Sequence, residues 1–282
     1  MKLLYTTDLH GIKWKFEKML KEAKSIKADL VINGGDMLPF GNFLNQDQFI
    51  LHYLDDYLSK FNSEKIYYFS MLGNDDLTIF DDLFQQICDK YPFIMNIANK
   101  RIELEKYEFI GLNLVTDLPF ALKDRARKDG KQFELPKQFG TPVISATNGW
   151  KKIEDWPSFI DELPTIEEEL KDLIKPFKKE NAIYVLHNPP SNLELDVCHD
   201  GRAVGSRAIY EFIKKNQPLI SFHGHIHECP DVSGVWHSYL GKTLCIQPGQ
   251  SRHHEDYLIY VLIDINESKN IYFERKKIAR DK

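Results

Sequence analysis

Five short blocks of this chain carry side chains that bind metal ions: Asp8-Leu9-His10, Gly35-Asp36, Gly73-Asn74-Asp75-Asp76, His187 and Gly224-His225-Ile226-His227. Their donors are carboxylate, amide and imidazole, with no thiol needed. That mixture suits Mn, Fe, Zn, Co or Ni rather than Ca. Asp8, His10, Asp36, Asn74, His187, His225 and His227 are too many for one tetrahedral ion. Two ions sharing a carboxylate would use them all. Such pairs sit ~3.5–4 Å apart and clamp both oxygens of an in-line displacement at phosphorus. Water on such an ion has its pKa lowered toward ~7.

Taken singly, each block is ordinary. Asp8 can cap a following helix. Asp36 after two glycines can be a turn residue. Asn74 tolerates positive φ in a turn. His187, before Pro189-Pro190, can be a loop histidine. Gly-His-x-His is stronger, because residues i and i+2 share one side of an extended segment. The signal lies in position: all five blocks close a predicted strand. In an open α/β sheet the ligand site lies outside the carboxyl ends of the strands.

The strands read as short apolar, partly β-branched runs: Lys2–Thr7, Leu30–Ile32, Ile66–Met71, Ala182–Leu186 and Leu219–Phe222. Arg101–Glu105 and Glu108–Leu112 form a predicted hairpin, and further strands fall at 243–246, 257–263 and 270–275. Helical spacing joins Phe16, Met19, Leu20 and Ala23, and a longer stripe runs from Phe49 through Tyr53 and Tyr57 to Phe61. Ile79, Leu83 and Ile87 mark another helix, and Ala208, Ile209, Phe212 and Ile213 one more. Thr165-Ile166-Glu167-Glu168 fits a capping box, with the helix continuing through Leu170, Leu173, Ile174 and Phe177. The order is βαβα first and mostly β at the end, which predicts an α/β layered fold with two sheets.

Residues 113–163 have little apolar periodicity and are punctuated by Pro119, Pro136, Pro142 and Pro157. Long loops in compact domains are functional or disordered. Trp150 and Trp156 favour docking, so this stretch reads as a cap or lid inserted in a single domain spanning 1–282.

Of the 282 residues, 43% are hydrophobic and 28% charged, which excludes a disordered chain. The net charge of −5 argues against broad contact with nucleic acid. Cys88, Cys198, Cys229 and Cys245 form no C-x-x-C pair and are too sparse for a disulfide framework. Free thiols, no run of ~18 apolar residues and no signal-like start lead to the expectation of a cytoplasmic protein without membrane contact.

The five blocks, in this order, resemble the calcineurin-like metallophosphoesterases, whose pattern is D-x-H, G-D, G-N-H-[DE], a lone His and G-H-x-H. The resemblance runs from residue 8 to 227. It implies a four-layer sandwich of two mixed β-sheets flanked by helices. It also implies two divalent transition metal ions (Mn, Fe, Zn, Co or Ni). One would be held by Asp8, His10, Asp36 and His227, the other by Asp36, Asn74, His187 and His225, with Asp36 bridging. By resemblance the metal-bridging hydroxide is the nucleophile. The chain would be a phosphoric ester hydrolase, a mono- or diesterase acting on a small-molecule phosphate ester. Alternatives are a nuclease, or a non-catalytic metal-binding or protein-interaction member of the fold.

One position departs. Asp75 stands where the family has the His thought to protonate the leaving group. A carboxyl of reference pKa ~3.9, pushed lower by nearby cations, would be an anion that repels phosphate and donates no proton. Either it is held protonated, or another group acts as acid, or the substrate needs none. Leaving groups of low pKa are therefore expected to be favoured. Catalytic roles fall to Asp36, Asn74 and, in altered form, Asp75. His199 and His254 are candidate replacement acids, and Arg202 and His199 candidate substrate contacts. Asp76 reads as a turn residue behind the ligands, and His223 as a strand residue facing away from them. Arg125, Arg127, Lys128 and Lys131 read as a solvated charge run rather than phosphate contacts, and Arg275-Lys276-Lys277 as a solvated tail. Gln247-Pro248-Gly249-Gln250 reads as a structural turn.

Overall fold

Elements are numbered in chain order in this computed structural model, which describes residues 1–250 and 256–280. Two six-stranded mixed sheets form its centre. In the first, β1 (Lys2–Thr6), β2 (Leu30–Asn33), β3 (Tyr67–Ser70) and β4 (Ile94–Asn96) run parallel. β15 (Tyr257–Ile265) and β16 (Ile271–Ala279) add antiparallel strands beside β1. In the second, β6 (Tyr107–Leu112), β11 (Ala182–Leu186), β12 (Ile220–Phe222) and β14 (Thr243–Ile246) are parallel, bounded by antiparallel β5 (Arg101–Leu104) and β13 (His237–Leu240).

Apart from the edge strand β4, the parallel strands are buried on both faces, which is why they read as near-continuous apolar runs. Leu3, Tyr5, Leu30, Ile32, Phe109, Ile183, Phe222 and Ile246 fill the space between the sheets. Leu4, Val31 and Tyr68 face the other way, onto α1 (Lys13–Ser25), α2 (Gln46–Phe49), α3 (Asp55–Glu64) and α4 (Asp81–Cys88). On the second sheet Ile110, Tyr184 and Leu186 pack on α6 (Ile166–Asp172) and α7 (Arg207–Asn216). The layers are helix, sheet, sheet, helix, as the resemblance implies.

Local chemistry sets the helix ends. The capping box at Thr165 forms with Glu168, and Ser206 Oγ accepts from Ile209 N at 2.9 Å to start α7. The Phe49–Phe61 stripe is continuous only because a π turn over Ile50–Leu54 re-registers it between α2 and α3. α6 is shorter than expected. Leu173 turns extended before Pro176, and Ile174 and Phe177 face water instead of continuing the helix. The final basic stretch is not a solvated tail. Arg275 and Lys276 lie within β16, and half-buried Arg275 donates Nε to Pro248 O at 2.7 Å.

Residues 113–163 hold β7 (Val115–Thr116) paired with β8 (Ala126–Arg127), a hairpin of β9 (Val143–Ala146) and β10 (Gly149–Lys152), and α5 (Trp156–Asp161). Ala126, Ile153, Trp156 and Ile160 make a small core of their own. α8 (Cys229–Ser233) follows the Gly-His-x-His block. Among the described residues, all four cysteines are free thiols, and no helix is long and apolar enough to cross a membrane.

Candidate metal centre

The C-terminal ends of β1, β2 and β3 from one sheet meet those of β11 and β12 from the other. Backbone hydrogen bonds knit the loops beyond them: Asp8 N to Gly35 O at 2.9 Å, His10 N to Asp36 O at 2.9 Å and Gly224 N to His187 O at 2.9 Å. The two sheets touch at His187, whose Nδ1 lies 2.9 Å from Gly34 O. Four donors sit on backbone that only tight loops adopt, with φ of 58° at Asp8, 45° at His10, 50° at Asp36 and 68° at His225. Non-glycine residues in this region concentrate at functional sites.

All seven expected donors converge. Asp8, His10, Asp36 and His227 offer ligand atoms within 4.8 Å of one another, and so do Asp36, His187 and His225. Asp36 belongs to both groups. Asn74 joins the second through Oδ1, 2.9 Å from His187 Nε2. His187 Nε2 also lies 3.3 Å from Asp36 Oδ2. His10 Nε2 and His227 Nε2 are 3.0 Å apart, and His227 Nε2 is 3.7 Å from Asp8 Oδ1.

This donor set fits cations. Among the described residues, Asp8 Oδ2 and His225 Nε2 are buried without a hydrogen-bond partner. Such orphans are rare and call for an explanation. Two Nε2 atoms at 3.0 Å need a proton or a cation between them. The Gly34 carbonyl holds the His187 Nδ1 proton, so Nε2 is the nitrogen left for a ligand bond.

Burial and close pairing of opposite charges set the ionisation of these donors. Burial drives the Asp8 carboxyl up to about 7, against the pull of His187 and with Asp36 adding to the rise. Burial alone would raise Asp36 too, but His187 and His10 outweigh it and hold Asp36 well below the carboxylate range. Burial lowers His187, yet Asp36 and Asp8 overcome that and lift it to about 9. Burial, with His187 alongside, pushes His225 down to about 3 and leaves it neutral.

Glycines make the approach possible. A Cβ on Gly73 would strike the Asp36 carboxylate and its backbone N, and one on Gly224 would strike Thr7 Oγ1 and Asp8 Oδ2. Buried Asp76 lies behind the donors, as expected, accepting from Met37 N at 3.0 Å, Leu38 N at 2.8 Å and Gly73 N at 2.8 Å. It clamps the Asp36 loop to the Asn74 loop. Burial and neighbouring Asp36 raise its carboxyl to about 6.

Asp75 donates its backbone N to Asp36 Oδ1 at 2.8 Å, and its carboxylate accepts from Asn74 Nδ2 at 3.1 Å. Asp75 lines a cleft with Asn74 and His225. His223 is buried away from the donors. Its Nδ1 lies 3.0 Å from Leu186 O, and burial lowers its pKa to about 4. His199 and Arg202 stand outside the seven donors, lining a separate cavity, with Arg202 Nε on Asp200 Oδ2 at 2.7 Å. His254 lies outside the described residues.

Arg125 is not part of a solvated run. It is buried, donates Nε to Gly73 O at 2.8 Å and pairs with Asp81. Arg127 is half-buried beside Glu169, and Lys128 pairs with Asp161 at 2.8 Å. Gln247 and Gln250 do hold the final loop, with Gln250 N donating to His227 O at 3.0 Å and Gln247 Nε2 to Ile226 O at 2.5 Å. Sequence reasoning missed Gln46. It is buried in α2 and holds the Asn74–Asp75 turn through Nε2 to Asp75 O at 2.8 Å and Oε1 from Leu77 N at 2.9 Å. A polar residue on an apolar helical stripe was its one sequence signal.

Residues 1–229 match the family model for calcineurin-like phosphoesterases, and the chain belongs to that family. A curated relative, Uncharacterized protein L509 of Acanthamoeba polyphaga mimivirus, is 23% identical over 203 residues, covering 67% of this chain. The chain spans just under two thirds, 66%, of that relative's length. The fold is shared with solved structures. One superposes with TM-score 0.61 at 17% identity over 97% of this chain and 98% of its own. The protein TT1561 of Thermus thermophilus does so with TM-score 0.58 at 14% identity over 97% of each chain.

Proposed function

We propose that this chain hydrolyses phosphate esters at a dinuclear centre. Asp8, His10, Asp36 and His227 would hold one divalent transition ion. Asp36, Asn74, His187 and His225 would hold the second, with Asp36 shared. The observation that supports this reading most is the pair of donor groups meeting at one buried carboxylate.

When bound, the two ions supply charge neutralisation at the phosphoryl group and a water acidified toward neutral pH. The chain's own residues do the positioning. His187, fixed by the Gly34 carbonyl, presents Nε2. The Asp75 amide fixes the rotamer of Asp36. The Asn74 side chain is steadied by the Asp75 carboxylate. Water oxygen would join phosphorus and give its proton to solvent, the P–O ester bond would break, and the leaving oxygen would depart with the electron pair and take up a proton from solvent. As a carboxylate, Asp75 would have no proton to give the leaving oxygen, and phenol-like alcohols would then leave more readily than alkyl ones.

A panel of nitrophenyl and alkyl phosphate mono- and diesters, assayed with Mn, Ni, Co and Zn, tests this. The expected result is metal-dependent release of nitrophenol, abolished in His225→Ala. Retained metal with no turnover of any ester favours the non-catalytic binding reading, which the loss of the family His at Asp75 supports.

A further inference from the structure

Beside the centre lies a cavity of about 440 Å³, walled by the 116–139 stretch and the 198–205 loop. It adjoins the cleft that holds Asn74, Asp75 and His225, and Thr116, Leu118 and Phe120 line both. The size suits a small organic group. Two features describe its occupant. Phe120 and Phe139 are 61% and 75% exposed, their rings edge to face with centroids 6.0 Å apart. Such a pair on a concave wall leaves ring surface for a third aromatic group. The charged lining is mostly acidic. Asp117 is paired with Lys123, and Asp200 with Arg202. Glu134 and Glu228 also line the cavity and have no ion pair among the described residues.

We infer that this cavity receives the alcohol part of the substrate, an uncharged or cationic aromatic group, while the phosphoryl group sits in the adjoining cleft. This rests on the phosphoesterase reading. A second phosphate or a carboxylate on the alcohol would meet Glu134 and Glu228. A wholly polar sugar would leave the phenylalanine faces uncovered.

Binding of 2-naphthol and of naphthalene-2-sulfonate to the full chain, measured by equilibrium dialysis, tests the inference without turnover. Wild type should retain 2-naphthol and hold the sulfonate more weakly. Phe139→Ala, at a site too exposed to threaten folding, should weaken 2-naphthol about three- to tenfold. Glu134→Lys should tighten the sulfonate and leave 2-naphthol unchanged. No binding of 2-naphthol, equal binding by Phe139→Ala, or a sulfonate held as tightly as 2-naphthol would each overturn the proposal. In turnover, Phe139→Ala should raise KM for naphthyl phosphate. An inactive chain that still shows the binding pattern separates failure of the hydrolase reading from failure of this one.

Discussion

At the scale of single residues, the seven donors differ in how they are held, and the difference is chemical. His187 has its far nitrogen on a carbonyl, Asp36 has an amide on one oxygen, and Asp8 takes the His225 amide at 3.1 Å. Each keeps a second atom for the centre. Asp75 is the residue that sets this chain apart. General acids contribute ~10²–10⁴-fold where a leaving group needs a proton. Asp75→His is therefore expected to raise turnover of alkyl phosphates ~10²-fold or more. Nitrophenyl esters, which leave unaided, should change by less than a factor of ~3. A plot of rate against leaving-group pKa reads the result. Equal effects on both classes would remove Asp75 from the leaving-group step. The donors are legible in the sequence because metal chemistry restricts residue type. What each touches is not, since Gly34 O and the Asp75 amide are backbone groups that any side chain brings along.

Elements position these residues through loops rather than through strand interiors. Parallel strands expose their carboxyl ends together, and Asp76 then locks two of those ends by accepting three backbone N–H groups. Asp76→Ala leaves these buried donors without an acceptor, at ~1–3 kcal/mol each. The expected loss is about 3–5 kcal/mol in urea unfolding, less whatever relief comes from removing a carboxylate near Asp36. A loss within ~0.5 kcal/mol would mean the clamp is dispensable. Strand existence was readable from apolar runs buried on both faces. The π turn at Ile50–Leu54 was not, because a π turn preserves an apolar stripe while adding a residue to it. The early end of α6 was readable only by weighting Pro176 above the apolar spacing of Ile174 and Phe177. Residues 116–139 escape period analysis altogether. They are held by polar side chains, as in Arg125 to Gly73 O and Lys123 to Asp117, which leave no apolar period to read.

For the whole molecule, the centre joins two sheets whose donors share a buried, charged crevice. His187 is raised above its unfolded value of ~6.5, to about 9. Its contribution to metal-free stability is present below pH ~6.5 and lost as pH rises through 9. Asp8, raised to about 7, works in the same direction: its contribution is lost as pH rises through 7. Asp36, lowered, contributes above pH ~3.9 and loses that as pH falls. Chelator-treated protein should thus melt at a higher temperature near pH 6 than at pH 9. Metal loading should reverse the trend, because ligands must shed protons to bind, and at 100-fold excess over Kd it adds ~2.7 kcal/mol. A metal-free melting temperature that climbs steadily from pH 6 to 9 would contradict these assignments. The most direct test is anomalous X-ray scattering from crystals loaded with Mn. Two peaks ~3.5–4 Å apart with Asp36 between them are predicted, one beside His10 and His227, the other beside Asn74, His187 and His225. A single peak, or two that do not share Asp36, would contradict the shared-carboxylate centre.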